Sequence, residues 1–112
     1  MRRVVVESPY SAPTPEGIAR HVEYARACLR DCIQRGEAPI ASHLLLTQPG
    51  VLDDADPVQR HAGMMAGWAW IEHADAVVVY IDLGISDGMM DGIGHATLAG
   101  ARIEYRSVIS TS

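Results

Sequence analysis

Long apolar runs are missing from this 112-residue chain. No stretch approaches the roughly 18 to 20 apolar residues that a membrane-crossing helix requires, so no membrane partner is expected. The opening Met1-Arg2-Arg3-Val4-Val5-Val6-Glu7 holds only a three-residue apolar run. The core of a signal peptide needs about 7 or more, so a cytoplasmic location is expected. Basic residues are scarce as well, nine against fourteen acidic ones, for a net charge of −5. They lie scattered and form no basic stripe, which argues against a nucleic acid polymer as partner. Cysteine is limited to Cys28 and Cys32, four apart within one predicted helix. They project from the same side and are poorly placed to bridge each other, and no further ligands stand nearby at metal-site spacing. Buried free thiols are expected, with neither a metal site nor a bound cofactor.

What is present is a composition fit to build a core: 48% hydrophobic and 21% charged residues. The length suits one domain spanning residues 1–112. Arg3 to Glu7 reads as a short β-branched strand, ended by Ser8-Pro9-Tyr10. Thr14 before Pro15 has the form of a helix start. Ile18, Val22, Ala25, Leu29 and Cys32 then repeat at helical spacing until Gly36. A second strand is predicted around Ala38 to Ala41, leading through Ser42-His43 into Leu44–Thr47. After a turn-rich loop, Asp56 caps and Pro57 starts a second helix, along which Gly63 and Gly67 permit close approach of a neighbour. Ala76 to Ile81, apolar on both faces, reads as a central parallel strand. Gly88 opens a third helix ending near Gly100, and Ala101 to Arg106 is the last strand, an edge with Ile103 and Tyr105 alternating against charged neighbours. This β-α-β-α-β-α-β order predicts an α/β fold: a small doubly wound, Rossmann-like parallel sheet of about four strands flanked by helices.

In such sheets ligands bind beyond the carboxyl ends of the strands, where the strand order reverses. Three predicted loops bring polar residues there: Ser8 and Tyr10, then Ser42 and His43, then Asp82, Ser86, Asp87 and Gly88. Each has two readings. Tyr10 either meets a ligand or packs over the sheet edge, and His43 either meets a ligand or bonds a loop carbonyl. Ser86 is a ligand contact or simply a helix cap, and Asp82 a solvated acid or a partner for a ribose hydroxyl. Met89 and Met90 are core filler or a soft surface for a flat base. Asp53, Asp54 and Asp56 read as a solvated, partly mobile loop. Trp68 and Trp70 read as packing or a subunit interface, and His21, His61, His73 and His95 as surface or capping residues.

Taken together, Ser8-Pro9-Tyr10, Ala38-Pro39-Ile40-Ala41-Ser42-His43 and Asp82-Leu83-Gly84-Ile85-Ser86-Asp87-Gly88-Met89, followed by Ala96 and Gly100, give the chain a family likeness. Over essentially its whole length it resembles the nucleoside 2-deoxyribosyltransferase-like superfamily, in a branch of small phage and bacterial proteins. The resemblance implies a pocket for a nucleoside or nucleotide. In that superfamily a glutamate early in the last helix attacks the anomeric carbon of the sugar. Matched on Gly88, that position is Gly92, which has no side chain to attack with. Asp91 lies one residue earlier and points roughly 100° away on a helix. Ser86 stands where the transferases tend to keep an acid that helps bind the sugar.

Three functions compete. The first is a binding domain for a nucleotide- or nucleoside-like molecule, sequestering a nucleotide-derived signal, with Ser8, Tyr10, Ser42, His43, Asp82, Ser86, Gly88 and Met89 as ligand contacts. The second is an N-glycosidase or 2-deoxyribosyltransferase that uses Asp91 or Asp82 as its catalytic carboxylate. The third is an interaction protein with a vestigial site. A homo-oligomer, dimer or higher, is expected because a domain this small covers its apolar faces poorly and because related transferases assemble.

Overall fold

The computed structural model describes residues 1–109. Four strands form the sheet: β1 (Arg2–Glu7), β2 (Glu37–Ile40), β3 (Ala76–Tyr80) and β4 (Ile103–Arg106). They lie in the order β2-β1-β3-β4 and every neighbouring pair is parallel. The helices are α1 (Pro15–Gln34), the short α2 (Ser42–Leu45), α3 (Pro57–Ile71) and α4 (Asp87–Leu98). The expected α/β parallel sheet is therefore the observed one.

Local chemistry explains the helix ends. The Thr14 hydroxyl accepts the Gly17 N–H at 3.1 Å, and Asp56 accepts the Val58 N–H at 3.1 Å. Each such cap is worth about 1 kcal/mol, and the proline that follows is already set for a helix. Gly36 takes φ +78°, where a side chain would be strained, and the chain turns from α1 into β2.

The core has two layers because strand side chains alternate. Val4, Val6, Val78 and Tyr80 pack with Cys28 and Cys32 of α1 on one face. Val5, Val77 and Val79 pack with Ile71 of α3 and with Met89 and Ala96 of α4 on the other. All five residues of β3 are fully buried, at roughly 1.5–3 kcal/mol for each valine taken from water. Cys28 and Cys32 are free and buried, and burial pushes the Cys28 thiol up to about 12.

Several boundaries differ from those expected. β2 starts at Glu37 and stops at Ile40, because Ala41 is the cap position of α2. β3 stops at Tyr80, and β4 begins only at Ile103. The larger departure is in the pattern of β4. Tyr105 is 56% exposed and Arg106 is buried, against the alternation expected from apolar and charged residues. The reason is a charge network. Arg106 donates both terminal nitrogens to Glu37, each at 2.7 Å, and one of them to Glu104 at 3.0 Å. Arg2 joins Glu37 at 2.9 Å and also bonds Glu104. Arg106 thus lies along the α1 face, within 3.4 Å of the Tyr80 hydroxyl.

Candidate functional site

The strand order reverses between β1 and β3, and a cavity of about 100 Å³ opens near the carboxyl end of β1. Glu7, Ser8 and Tyr10 reach it from β1 and the loop beyond. Ser42 and His43 come from α2, and Arg60 and Trp68 from α3. Ser86, Gly88 and Met89 complete it from the start of α4. Pockets that enclose a drug-sized ligand run from roughly 300 to 1,000 Å³, so this one is small, with room for about a single ring. A broader groove of about 530 Å³ lies between α1, β2 and α2, but Arg26 is its only charged side chain. The chemistry is concentrated in the smaller cavity.

Close packing makes the arrangement possible. A Cβ at Gly67 would stand 2.5 Å from the Ser42 hydroxyl, so glycine is what lets α2 press against α3. Ser42 and His43 are brought to the cavity wall by that contact. Ser86 caps α4: its hydroxyl accepts the Met89 N–H at 3.2 Å, while its own N–H points at the Met89 sulfur at 3.4 Å. The helix-cap reading of Ser86 is the one observed, and the same residue lines the cavity. Met89 is buried. The His21 ring donates to the Tyr10 carbonyl at 2.8 Å and fixes the loop after β1.

Two titratable groups in the wall are neutral at pH 7. Burial lowers His43 from 6.5 to about 4, and its Nε2 lies 2.7 Å from the Ser8 hydroxyl. Burial raises Glu7 from 4.5 to about 8. Glu7 is half-buried, and its carboxyl oxygens keep some access to the cavity. Its neighbour on α4 is Gly92: a Cβ there would stand 2.6 to 2.9 Å from the three carboxyl atoms of Glu7. At the mouth, Arg60 pairs with Asp54 at 3.1 Å. Trp68 stacks on His95, with ring centres 5.1 Å apart and planes 15° from parallel, whereas Trp70 is 53% exposed.

The structure thus brings Ser8, Tyr10, Ser42, His43, Ser86, Gly88 and Met89 around one cavity, and it places Asp82 and Asp91 elsewhere. Partial burial works against the charge of Asp82, but donors more than offset it. Ser107, the Tyr24 hydroxyl and the N–H groups of Val108 and Ile109 hold its carboxyl down near 2. Its lone pairs tie the end of β3 to α1 and to the segment after β4. Asp91 is exposed on α4 and absent from the cavity wall. The acidic loop is more ordered in its bonding than a solvated cluster: Asp56 caps α3, Asp53 accepts the Ala55 N–H at 3.0 Å, and Asp54 holds Arg60. Glu7, Asp54 and Arg60 are wall residues that the pattern of loops did not single out. For Glu7 a signal existed, since period-2 alternation puts it on the face of Val5, toward the helix that carries Gly92. Among the described residues no three His, Cys, Asp or Glu side chains converge as metal ligands.

A four-stranded parallel sheet with its cavity at the switch point defines an α/β domain with a nucleoside deoxyribosyltransferase-like fold. The chain belongs to the family described as a domain of unknown function, DUF7768, whose model matches residues 2–106. It is similar to the solved structure of a 2-deoxyribosyltransferase from the psychrotolerant bacterium Bacillus psychrosaccharolyticus, described as a biocatalyst for the synthesis of nucleosides. The TM-score is 0.61 at 17% identity, over 98% of this chain and 75% of that one. At that identity the likeness is one of fold. A comparison with curated proteins finds no match.

Proposed function

We propose that this chain takes up a nucleoside- or nucleotide-like small molecule, seating one ring in the cavity and leaving the remainder in the mouth. The observation that carries the reading is the meeting of hydroxyl and imidazole groups from separate elements, Ser8, His43 and Ser86, with the Trp68 ring in one enclosed wall at the switch point. The interior favours an uncharged ring, because Glu7 and His43 are both neutral at pH 7. A phosphate, where the ligand has one, belongs at the mouth, where Arg60 provides positive charge.

Two fates for the bound molecule are distinct. Retention without change is sequestration, supported by the missing side chain at position 92. Cleavage or exchange of the sugar–base bond is supported by the carboxyl group of Glu7 in the wall. The test is mass spectrometry of a nucleoside and nucleotide panel incubated with the purified protein, reading both the solution and whatever denaturation releases. One class of compound, intact or as its fragments, is expected from the protein. A panel that stays wholly in solution and wholly unchanged overturns the reading.

A further inference from the structure

We propose that Glu7 and the Ser8–His43 pair form an acid–base couple that hydrolyses the bond between the ring and the sugar of the molecule held in this cavity. The inference rests on the nucleoside reading above and adds to it a reaction and the residues that perform it.

Three observations converge. First, the Glu7 carboxyl stands at the end of a central strand and in the cavity wall, and α4 makes room for it with a glycine. The three atoms nearest to a Cβ built at Gly92 are all carboxyl atoms of Glu7. The acid that α4 does not carry is therefore delivered to α4 from β1. Second, among the described residues no hydrogen-bond donor or cation meets this carboxyl, and burial alone governs its proton affinity. The carboxyls that hold this fold together are met by donors, Glu37 by Arg106 and Asp82 by hydroxyl and backbone N–H groups. Glu7 has no such partner and faces the space a ligand would fill. Third, the next residue, Ser8, places its hydroxyl 2.7 Å from His43 Nε2 in the same wall. With the ring proton on Nδ1, the unprotonated Nε2 accepts from that hydroxyl. A proton-bearing acid and a proton-free base thus face one cavity at neutral pH, the division of labour that acid–base catalysis requires.

The step balances with water as co-reactant. The water oxygen forms a bond to the anomeric carbon as the carbon–nitrogen bond breaks. The electron pair of that bond goes to the ring nitrogen, which takes the proton of Glu7. The water's proton passes through the Ser8 hydroxyl to His43 Nε2. After the free sugar and the free base depart, His43 returns a proton to Glu7 through water in the cavity. Glu7 meets the leaving ring and is the catalytic acid, and Ser8 relays to the base. The charged and titratable groups facing the cavity around Glu7 are His43 from α2, Tyr10 beyond β1, and the Asp54–Arg60 pair from the loop before α3 and from α3 itself. From α4 the contact is Gly92, which carries no charge.

The experiment measures free base released from the same panel by the intact protein and by Glu7→Gln, which mimics the neutral carboxyl without its transferable proton. Release by the wild type is expected to fall above about pH 8, as Glu7 loses its proton, and below about pH 4, as His43 gains one. Glu7→Gln is expected to retain the panel compound and lose release by about 100-fold or more. Release by Glu7→Gln at the wild-type rate overturns the proposal. So does a wild type that retains a compound but frees no base at any pH, an outcome that leaves the binding reading standing. A wild type that neither retains nor cleaves any compound removes both. The wild-type pH profile stands apart from the folding of any variant.

Discussion

Glu37 and Glu7 both belong to strands of the same sheet, and their surroundings drive them in opposite directions. Glu37 sits against Arg106, with both carboxylate oxygens met at 2.7 Å, and the guanidinium holds its carboxyl below the usual range. Arg2 and Glu104 extend that pair into a network, and Glu104 is held near 2 chiefly by the hydrogen bond from Arg2. On the α3–α4 face Glu7 meets no cation and keeps its proton up to about pH 8. Glu37 is the more deeply buried residue and Glu7 is half-buried, so removal from the surface does not by itself decide the direction. The partner does: a met carboxylate fixes the geometry of its neighbours, while an unmet carboxyl keeps its bonding capacity for something that arrives from outside.

Removing the partner from the first region is expected to have the largest effect. Arg106→Met strips Glu37 of its bidentate partner and leaves it buried with Arg2 still at 2.9 Å, at a cost of about 3 kcal/mol, the low end for breaking a buried pair. The double variant Glu37→Gln/Arg106→Met, which also removes the buried carboxylate charge, is expected to recover part of that loss in urea unfolding. A midpoint unchanged by Arg106→Met would place the network among the energetically idle surface pairs and collapse the contrast.

The next effect is a dependence on pH. The folded chain holds the Glu7 proton up to about pH 8, whereas the unfolded chain releases it near 4.5. Between those values the folded state binds the extra proton, so stability falls as pH rises. His43 acts the other way: the folded ring releases its proton near pH 4 and the unfolded ring near 6.5, so its contribution rises with pH in that window. The two slopes oppose each other between about pH 4.5 and 6.5. From 6.5 to 8 the fall belongs to Glu7, about 2 kcal/mol at 1.36 kcal/mol per pH unit. Glu7→Gln is expected to gain on the wild type by that amount across this interval. Parallel stability curves for the two proteins would show that the carboxyl is better solvated than its enclosure implies.

The smallest effect concerns the contact between the two positions. Alanine in place of a mid-helix glycine is worth about 1 kcal/mol. In the native background that gain is expected to be cancelled, because the new Cβ pushes the Glu7 carboxyl aside. In a Glu7→Ala background the gain is expected to appear. A double-mutant cycle on Glu7→Ala and Gly92→Ala reads the difference as a coupling of about 1 kcal/mol, and additivity would mean that the two positions do not meet.

The parallel sheet was legible because each of its signals is local: the valine runs, the Thr14-Pro15 and Asp56-Pro57 starts, and the turn at Gly36. The loops after the strands were legible as a place for Ser8, His43 and Ser86, since topology alone puts them at one end of the sheet. What stayed hidden depends on partners distant in the chain. Arg106 reads as an exposed edge residue until Glu37, 69 positions away, is seen to meet it. Asp82 reads as a free loop acid until Tyr24 and the segment after β4 are seen to occupy it. For Glu7 the alternation of β1 gives the face, but only the fold shows that Gly92 leaves it room.

That room has a consequence for how the domain can change over generations. Positions 7 and 92 share one volume, and a side chain gained at 92 moves the Glu7 carboxyl from its place. A carboxyl can stand on the strand or on the helix, but a glutamate gained at position 92 while Glu7 remains would crowd two acids into a space made for one. Residues 7 and 92 are expected to vary together among descendants of this domain.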